Sequence, residues 1–287
     1  MKFSLVISTR GRTDELRRLI RSLRDQTLRD FEVVFSDQND DDRLIPLIKE
    51  LESEWNLIYL RSAGGASRGR NLGIARATGD ILCFPDDDSV YPPTLLEQVA
   101  DFFQNNPQYG YLSGRSFADD GKDSVSRHAR HASPIHKMTV HAQCIEFAMF
   151  IRRSRLGDLR FDENMGPGSP DLWQCDEGPD LMLRLEEAGV RGYYDPRFGV
   201  WHARPVTCYN AKDIHRTYRY GCANGYFYRK HHYPSWYFYY QMWRSFCGLL
   251  LGLGTLKMGK VRLYLARLRG RWVGWTRSSA QLPTPPP

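Results

Sequence analysis

The stretch that decides the fold lies at the start of the chain and reads KFSLVISTRGRTDELRRLIRSLRDQTLRDFEVVFSDQND, residues 2–40. Residues 2–8 form a short apolar run with β-branched members, which predicts a strand. Apolar residues then recur at helical spacing with arginines between them, at Leu16, Leu19, Ile20 and Leu23. FEVVFS at 31–36 predicts a second strand. This order of strand, helix and strand predicts a parallel sheet.

The same alternation continues after this unit. We expect helices at 43–54 and 67–77 and strands at 56–61 and 81–84, with Pro, Gly or Asp at the joins. Beyond residue 110 the pattern changes to apolar runs at 109–117 and 144–152, which we expect to extend the sheet with antiparallel or mixed strands. The sequence therefore predicts an α/β fold with a mixed central sheet. In such sheets ligands bind at the carboxyl ends of the strands.

The composition narrows the class of protein. Of the 287 residues, 41% are hydrophobic and 25% are charged, which is near globular averages and argues against a disordered, collagenous or polytopic membrane protein. The six cysteines are scattered without a C-x-x-C pair, and no signal peptide precedes MKFSLVIS. We therefore expect reduced thiols and a cytoplasmic location.

The formal net charge of +7 is distributed unevenly along the chain. No Asp or Glu follows Asp213, whereas residues 214–287 hold 12 Lys or Arg, and the first 213 residues carry 33 acidic against 28 basic residues. An asymmetry of this size predicts an anionic partner for the basic part, either nucleic acid or an acidic membrane surface.

Residues 214–280 are expected to form a helical extension that is rich in Trp, Tyr and basic residues. Its uncharged stretch at 245–256 falls short of the ~20 residues that span a bilayer, so we expect no transmembrane helix. A basic, aromatic, amphipathic segment is typical of a helix at a membrane surface. The alternative is a helical pair that packs on the rest of the protein. The final residues 281–287, QLPTPPP, are expected to be disordered.

Three successive carboxylates follow the fourth predicted strand, in FPDDD at 84–88. Like charges this close raise one another's pKa, and a bound cation resolves the conflict. Asp oxygens suit Mg²⁺ or Mn²⁺, which bridge protein carboxylates to substrate phosphates. The alternative is a helix N-cap or a solvated acidic turn before Pro92.

Three other features carry chemistry. The loop SAGGASRGRNLGIA at 62–75 has paired glycines and arginines at a helix start, where backbone N–H groups and guanidinium groups can hold phosphate. No Walker pattern occurs, and no GxGxxG follows a strand, so the sequence does not support a nucleoside triphosphatase or a dinucleotide oxidoreductase.

Asp176 and Glu177 precede a predicted helix, where carboxylates cap the helix or act as a base. The histidines at 128–141 lack paired cysteines, so we expect no zinc site.

The sequence resembles the family 2 glycosyltransferases in STRGR at 8–12, SDQND at 36–40, GGASRGRNLGIARATGD at 64–80, FPDDD at 84–88 and DEGPDLMLR at 176–184. These pieces are collinear with the family from residue 2 to about residue 205. The resemblance implies a glycosyltransferase A fold, which is Rossmann-like, as the catalytic domain of residues 1–213. It also implies a nucleotide-diphosphate sugar donor, a divalent metal ion (Mn or Mg) and inversion at the anomeric carbon.

Carried over residue by residue, the resemblance implies a donor site. Thr9, Arg10 and Arg12 would meet the nucleotide. Asp37 would hydrogen-bond the base, and Arg68 would face the base or the diphosphate.

The resemblance likewise implies a metal site in the acidic triplet. Asp86 would bind the ribose or the sugar side, Asp88 would bind the metal, and Asp87 would lie between them on the donor side. His202, which follows an apolar strand in GVWHARP, would complete the metal site as in some relatives.

The reaction also needs a base for the acceptor hydroxyl. Many family members show Glu-Asp-x-Asp-Leu, whereas this chain has EGPDL at 177–181, so Gly178 stands where the usual second carboxylate would be. Three interpretations are open: Glu177 is the base, Asp176 replaces the missing Asp, or catalysis is impaired. Asp180 is a further candidate if Glu177 is not the base.

The sequence thus predicts an inverting, metal-dependent glycosyltransferase of polysaccharide biosynthesis that uses a glycan or lipid-linked glycan acceptor. We expect it to be peripheral at the inner face of the cell membrane, with an anionic membrane surface and no nucleic acid as partner. One alternative is a catalytically weak nucleotide-sugar-binding module, which Gly178 suggests. The other is a nucleic-acid-binding protein, which the basic tail suggests and the acidic triplet disfavours.

Overall fold

The structure is a computed structural model that describes residues 1–277 and divides into two units. The first unit comprises Met1–Phe161 and Gly178–Pro205, and the second comprises Asp162–Glu177 and the chain from Val206 onward. The expected disordered tail at 281–287 and the last three residues of the expected extension, 278–280, lie outside the described residues.

A nine-stranded mixed sheet lies at the centre of the first unit. Its strands are β1 (Phe3–Thr9), β2 (Phe31–Asp37), β3 (Asn56–Arg61), β4 (Ile81–Cys83), β5 (Ser89–Val90), β6 (Tyr111–Phe117), β7 (Ser133–Pro134), β8 (Met149–Arg152) and β9 (Gly192–His202). The order is β3-β2-β1-β4-β8-β6-β9-β5, with β7 paired to β9. The neighbours among β1 to β4 are parallel, and β8 runs antiparallel to both β4 and β6. The predicted mixed α/β sheet is therefore confirmed.

Helices connect these strands and cover the sheet. They are α1 (Asp14–Arg24), α2 (Ile45–Glu52), α3 (Ala66–Ile74), α4 (Leu95–Asn105), α5 (Val140–Gln143), α6 (Arg153–Leu156) and α7 (Glu177–Glu187), with a 3-10 helix at Glu146–Ala148. The apolar face predicted for the first helix is buried in α1, at Leu16, Leu19, Ile20 and Leu23. Each such side chain contributes roughly 1.5–3 kcal/mol when fully buried. The helical spacing in the sequence thus reports the face that meets the core.

Close packing of α3 on β1 places the glycine-rich loop at the sheet edge. A Cβ added to Gly73 would lie 2.3 Å from Cγ1 of Val6, so only glycine permits this approach. Strands β1 and β2 pair in register with Thr9 opposite Asp37. Their carboxyl ends, and the helix start that follows β3, therefore face one edge of the sheet.

A buried histidine in the first unit makes stability depend on pH. The backbone N–H of Ser116 donates to Nε2 of His128 at 3.1 Å. Burial lowers the pKa of His128 from 6.5 to about 4, and the nearby Asp123 offsets this only in part. Between these two pH values the unfolded chain binds a proton that the folded chain does not. Unfolding therefore becomes easier as the pH falls from 6.5 toward 4.

We expect His128→Asn to remove this pH dependence. At pH 5 the native histidine costs about 2 kcal/mol of unfolding free energy relative to neutral pH. Urea unfolding at pH 7.5 and pH 5 measures the difference for the native chain and for the variant. The matched control is His131→Asn at an exposed histidine of the same segment. If the two variants lose equal stability on acidification, His128 does not remain neutral in the folded state.

Within residues 1–277, the second unit contains three long helices and the segment Asp162–Glu177. The helices are α8 (Ala211–Lys230), α9 (Ser235–Gly254) and α10 (Met258–Thr276). Trp173 of the segment stacks on Tyr226 of α8, with ring centroids 4.5 Å apart. Helices α8 and α10 meet backbone to backbone, because a Cβ on Gly270 would lie 2.2 Å from the carbonyl oxygen of Tyr218. None of the helices in residues 1–277 combines the length and the apolar character needed to cross a bilayer.

Candidate functional site

The acidic triplet follows β4 directly and is tied to the loop after β1. Asp87 is buried and accepts hydrogen bonds from Oγ1 of Thr9 at 2.7 Å and from Nη1 of Arg12 at 2.6 Å. The same Nη1 lies 2.6 Å from Oδ2 of Asp88. The structure therefore brings together Thr9, Arg12 and two of the three predicted carboxylates.

The third carboxylate, Asp86, pairs with an arginine that the sequence interpretation missed. Nη2 of Arg70 donates to Oδ1 of Asp86 at 3.0 Å, and the Arg70 guanidinium lies over the ring of Phe161. Arg70 is buried, whereas the predicted Arg68 is exposed on the same helix. Both arginines are part of SRGR at 67–70 in the glycine-rich loop, so the sequence offered Arg70 as a candidate. Sequence alone does not tell which of two arginines in one helical turn points inward.

Two carboxylates and one histidine converge beside this network. Asp86, Asp88 and His202 each offer one ligand atom, and these atoms all lie within 4.8 Å of one another. Nε2 of His202 is 3.2 Å from Oδ1 of Asp88. Strand β9 brings His202 here because it pairs with β5, with Ser89 opposite His202.

The tautomer of His202 suits a metal ligand. Nδ1 lies 2.6 Å from the carbonyl oxygen of Ala203, which accepts a hydrogen bond when Nδ1 carries the proton. A proton on Nδ1 would leave the Nε2 lone pair for a metal ion, an arrangement that metal-binding histidines commonly adopt, whereas without a metal a proton on Nε2 is donated to Asp88. The imidazole also stacks on Phe147, with ring centroids 5.1 Å apart.

The electrostatics favour a cation at this place. Burial raises the pKa of both Asp86 and Asp87. Burial also acts to raise the pKa of Asp88, but the hydrogen bond and charge of His202 and the charge of Arg12 outweigh it and lower that pKa. Burial would lower the pKa of His202, yet its bond to Asp88 raises it. Carboxylates crowded into a partly dry site are stabilised by a divalent ion, and a donor set of two carboxylates and one imidazole fits one.

Asp37 and Arg10 occupy the ends of neighbouring strands. Asp37 is fully buried, and its Oδ1 accepts from the backbone and side chain of Asn39 at 2.8 and 2.7 Å, while its Oδ2 accepts from the Tyr59 hydroxyl at 2.6 Å. Arg10 is exposed, and its Nη2 lies 3.7 Å from Oδ2 of Asp40. Asp37 is thus held rigidly, whereas Arg10 points into solvent.

The three candidate bases lie at the start of α7. In the second unit, Oδ2 of Asp176 accepts from Nδ2 of Asn224 at 2.7 Å. Asp176 also has a left-handed backbone with φ 69°, an uncommon conformation for a residue other than glycine. In the first unit, the fully buried Asp180 forms an ion pair with Arg184 at 2.7 Å. Glu177 is buried and is the first residue of α7.

The chain matches known proteins over its first part. Residues 4–166 match the family model described as Glycosyl transferase family 2. An uncharacterized glycosyltransferase of Haemophilus influenzae is 28% identical over 109 residues, which cover 38% of this chain and 37% of that protein. The GalNAc(5)-diNAcBac-PP-undecaprenol beta-1,3-glucosyltransferase of Campylobacter jejuni is 23% identical over 187 residues, which cover 60% of this chain and 58% of that protein. The chain thus spans less than two thirds of the length of these relatives.

Solved structures share the fold. The crystal structure of S. aureus TarS 1–349 in complex with UDP-GlcNAc has a TM-score of 0.57 and 16% identity, and the match covers 78% of this chain and 66% of TarS 1–349. The mannosyltransferase PcManGT from Pyrobaculum calidifontis, in complex with GDP-Man and Mn²⁺, has a TM-score of 0.56 and 15% identity, with 77% and 62% covered. Together with the family match over more than half of its residues, this likeness shows that the chain belongs to glycosyltransferase family 2 and has the glycosyltransferase A fold.

Proposed function

We propose that this chain is an inverting, metal-dependent glycosyltransferase that moves a sugar from a nucleotide-diphosphate donor to a glycan or lipid-linked glycan. The observation that carries this proposal is the convergence of Asp86, Asp88 and His202 within 4.8 Å, beside the Thr9 and Arg12 network. The family provides the reaction class. Its relatives include a protein named for an undecaprenol-linked acceptor and fold neighbours bound to UDP-GlcNAc and to GDP-Man with Mn²⁺.

The donor would bind across the strand ends of the catalytic domain, which we propose to be residues 1–213. Thr9 and Arg12 orient Asp87 on the donor side, and Asp37 would accept a hydrogen bond from the base. Arg10 and Arg68 are exposed cations near the ends of β1 and β3, suited to the base or the diphosphate.

The metal, as Mn²⁺ or Mg²⁺, would be held by Asp88 and His202, as the resemblance implies, and would neutralise the leaving diphosphate. Asp86, which the resemblance assigns to the ribose or the sugar side, lies close enough to these two residues to serve as a third ligand. The pairing of Asp86 with Arg70 supports a ligand role for this carboxylate, because the ion pair fixes its direction. Arg12 balances the remaining charge of the triplet through Asp87 and Asp88.

The transfer itself is a single displacement. The acceptor hydroxyl oxygen attacks the anomeric carbon on the face opposite the diphosphate, and a new carbon–oxygen bond forms. The bond between that carbon and the diphosphate oxygen breaks, and the electron pair leaves with the diphosphate. The hydroxyl proton passes to the carboxylate of Glu177, which acts as general base. Asp176 and Asp180 are the alternatives for this role, and their carboxylates contact Asn224 and Arg184.

A thermal-shift screen tests the function. We expect one nucleotide sugar, in a panel of UDP-, GDP- and dTDP-sugars, to stabilise the protein only when Mn²⁺ or Mg²⁺ is present. At 100 times its dissociation constant a ligand adds about 2.7 kcal/mol to the free energy of unfolding, which raises Tm by several degrees. Release of the nucleoside diphosphate must then follow. Stabilisation without release would indicate a binding module, and the absence of both would contradict the proposal.

We also propose that the second unit binds an anionic membrane surface, so that the enzyme is peripheral at the inner face of the cell membrane. Helix α9 exposes large apolar side chains along one face, including Trp236 (61% exposed), Trp243 (60%) and Leu251 (66%). A contiguous exposed patch of this kind is typical of an interaction site. Residues 214–287 contain 12 basic and no acidic residues, which complements anionic headgroups.

Substitutions on α9 test the membrane surface better than deletion of residues from about 235 onward. Such a deletion also removes α10, which packs directly on the backbone of α8. We expect Trp236→Ser combined with Trp243→Ser to weaken co-sedimentation with phosphatidylglycerol vesicles at least tenfold, because each buried aromatic side chain contributes on the order of 1 kcal/mol or more. The control is Val206→Ser, which removes a 79% exposed apolar side chain outside α9. Equal binding of both variants would contradict the proposal.

A further inference from the structure

Near the start of α7, this chain lacks the second carboxylate that many family members have, and a side chain from another segment occupies the space. Gly178 stands where many family members have a second carboxylate. Its backbone N–H donates to Oε1 of Glu146 at 3.1 Å. A Cβ added to Gly178 would lie 2.5 Å from that oxygen and 2.7–2.8 Å from Cγ and Cδ of Glu146. The carboxyl group of Glu146 therefore occupies the space that a side chain at residue 178 would need.

Glu146 lies in a segment that also contacts a residue of the proposed metal site. Glu146 is the first residue of the 3-10 helix Glu146–Ala148, just before β8. The Tyr91 hydroxyl donates to the carbonyl oxygen of the next residue, Phe147, at 2.8 Å, and the Phe147 ring stacks on His202. Glu146 is partly exposed. The contacts that position His202 thus also fix the backbone that carries Glu146.

The negative charge of Glu146 is favourable at the start of α7. Backbone N–H groups in the first turn of a helix have no partner within the helix, and the helix dipole favours an anion there. A neutral hydrogen-bond acceptor would cap the helix equally well in geometric terms. The glycine at residue 178 is what leaves room for a longer carboxylate side chain from elsewhere.

We propose that Glu146 is the second acceptor-side carboxylate of this enzyme, supplied from the segment before β8 in place of a side chain at residue 178. Its carboxylate accepts a hydrogen bond from an acceptor hydroxyl group next to the attacking one and so holds the attacking hydroxyl in place, while the general base takes the proton of the attacking hydroxyl. This inference rests on the proposed glycosyltransferase function. It fits a polyhydroxylated acceptor, in which one hydroxyl group has to be selected.

The Glu146→Gln variant separates this role from helix capping. The glutamine amide keeps the shape and still accepts from the Gly178 N–H, but it has no negative charge. Using the nucleotide sugar that stabilises the protein most in the screen, with Mn²⁺, we expect diphosphate release to fall about 10²-fold in kcat, with the donor KM and Tm unchanged. Native-like kcat would mean that Glu146 only caps α7, and it would overturn the inference.

A charge-relocation experiment provides the second test. We expect Gly178→Asp alone to lose activity, because the new side chain meets the Glu146 carboxylate, and Glu146→Ala alone to lose activity, because the carboxylate is gone. The double variant should recover to within about tenfold of native kcat, since one carboxylate is again present. A double variant no better than either single variant overturns the inference. If native protein releases diphosphate but Glu146→Gln is fully active, only this inference fails, whereas no release by native protein overturns the proposed function as well.

Discussion

Replacing Glu177 with glutamine should lower turnover by about 10²–10⁴-fold, because the amide cannot take the proton of the acceptor hydroxyl. Glu177 is buried at the first position of α7, where glutamine has nearly the same shape. Donor binding should therefore remain, and the loss should appear in kcat rather than in the donor KM. The acid limb of the pH profile of kcat should also disappear, since that limb reports protonation of the base.

Steady-state release of the diphosphate, measured from pH 5 to pH 9, provides this comparison. The matched control is Glu187→Gln, which changes the exposed last residue of the same helix and should leave the profile as in the native protein. A loss below tenfold in the Glu177 variant would assign the base to Asp176 or Asp180. The ion pair of Asp180 with Arg184 then predicts that Asp180→Asn would also destabilise the fold.

Replacing Asp88 with alanine should abolish metal-dependent donor binding. Asp88 contacts two side chains of the site. Its Oδ1 lies 3.2 Å from Nε2 of His202, and its Oδ2 lies 2.6 Å from Nη1 of Arg12. Removing its carboxylate takes one of three proposed ligand groups from the metal and leaves His202 without its carboxylate partner, whereas Arg12 keeps its ion pair with Asp87. A change of at least 10²-fold in the affinity for donor with Mn²⁺ is expected, because loss of groups that only orient metal ligands already costs about 10–100-fold.

Calorimetric titration of donor in the presence and absence of Mn²⁺ measures this effect. The control is Asp158→Ala, which removes the carboxylate of an exposed residue after α6, outside the proposed site. Unchanged affinity in the Asp88 variant would remove Asp88 from the metal site. Thermal unfolding of both variants shows whether the fold is retained.

Local patterns in the sequence predicted the first half of the fold closely. The observed β1, α1, β2, α2, β3, α3 and β4 begin and end within three residues of the predicted elements. Each of these elements is specified by its own periodicity and by the Pro, Gly or Asp that ends it. Because β1 to β4 are parallel neighbours, the position of the acidic triplet at a carboxyl strand end also followed from the sequence.

The partners of the triplet did not follow from local patterns. His202 reaches Asp88 because β9 pairs with β5 on one side and with β6 on the other, and no periodicity within β9 encodes that order. Arg70 contacts Asp86 of the triplet because α3 packs closely on β1. Glu146 meets Gly178 across 32 residues of chain.

The sequence by itself therefore determined the class of fold, the family and the residues at the ends of the parallel strands, since these depend on short-range periodicity and on motifs in collinear order. Only the tertiary structure decided which carboxylates share a histidine, which arginine balances Asp86, and which side chain fills the space beside Gly178. The physical reason is that strand order and helix packing depend on contacts between distant parts of the chain. Those contacts are selected by the burial of whole faces in one core, which no local stretch of sequence contains.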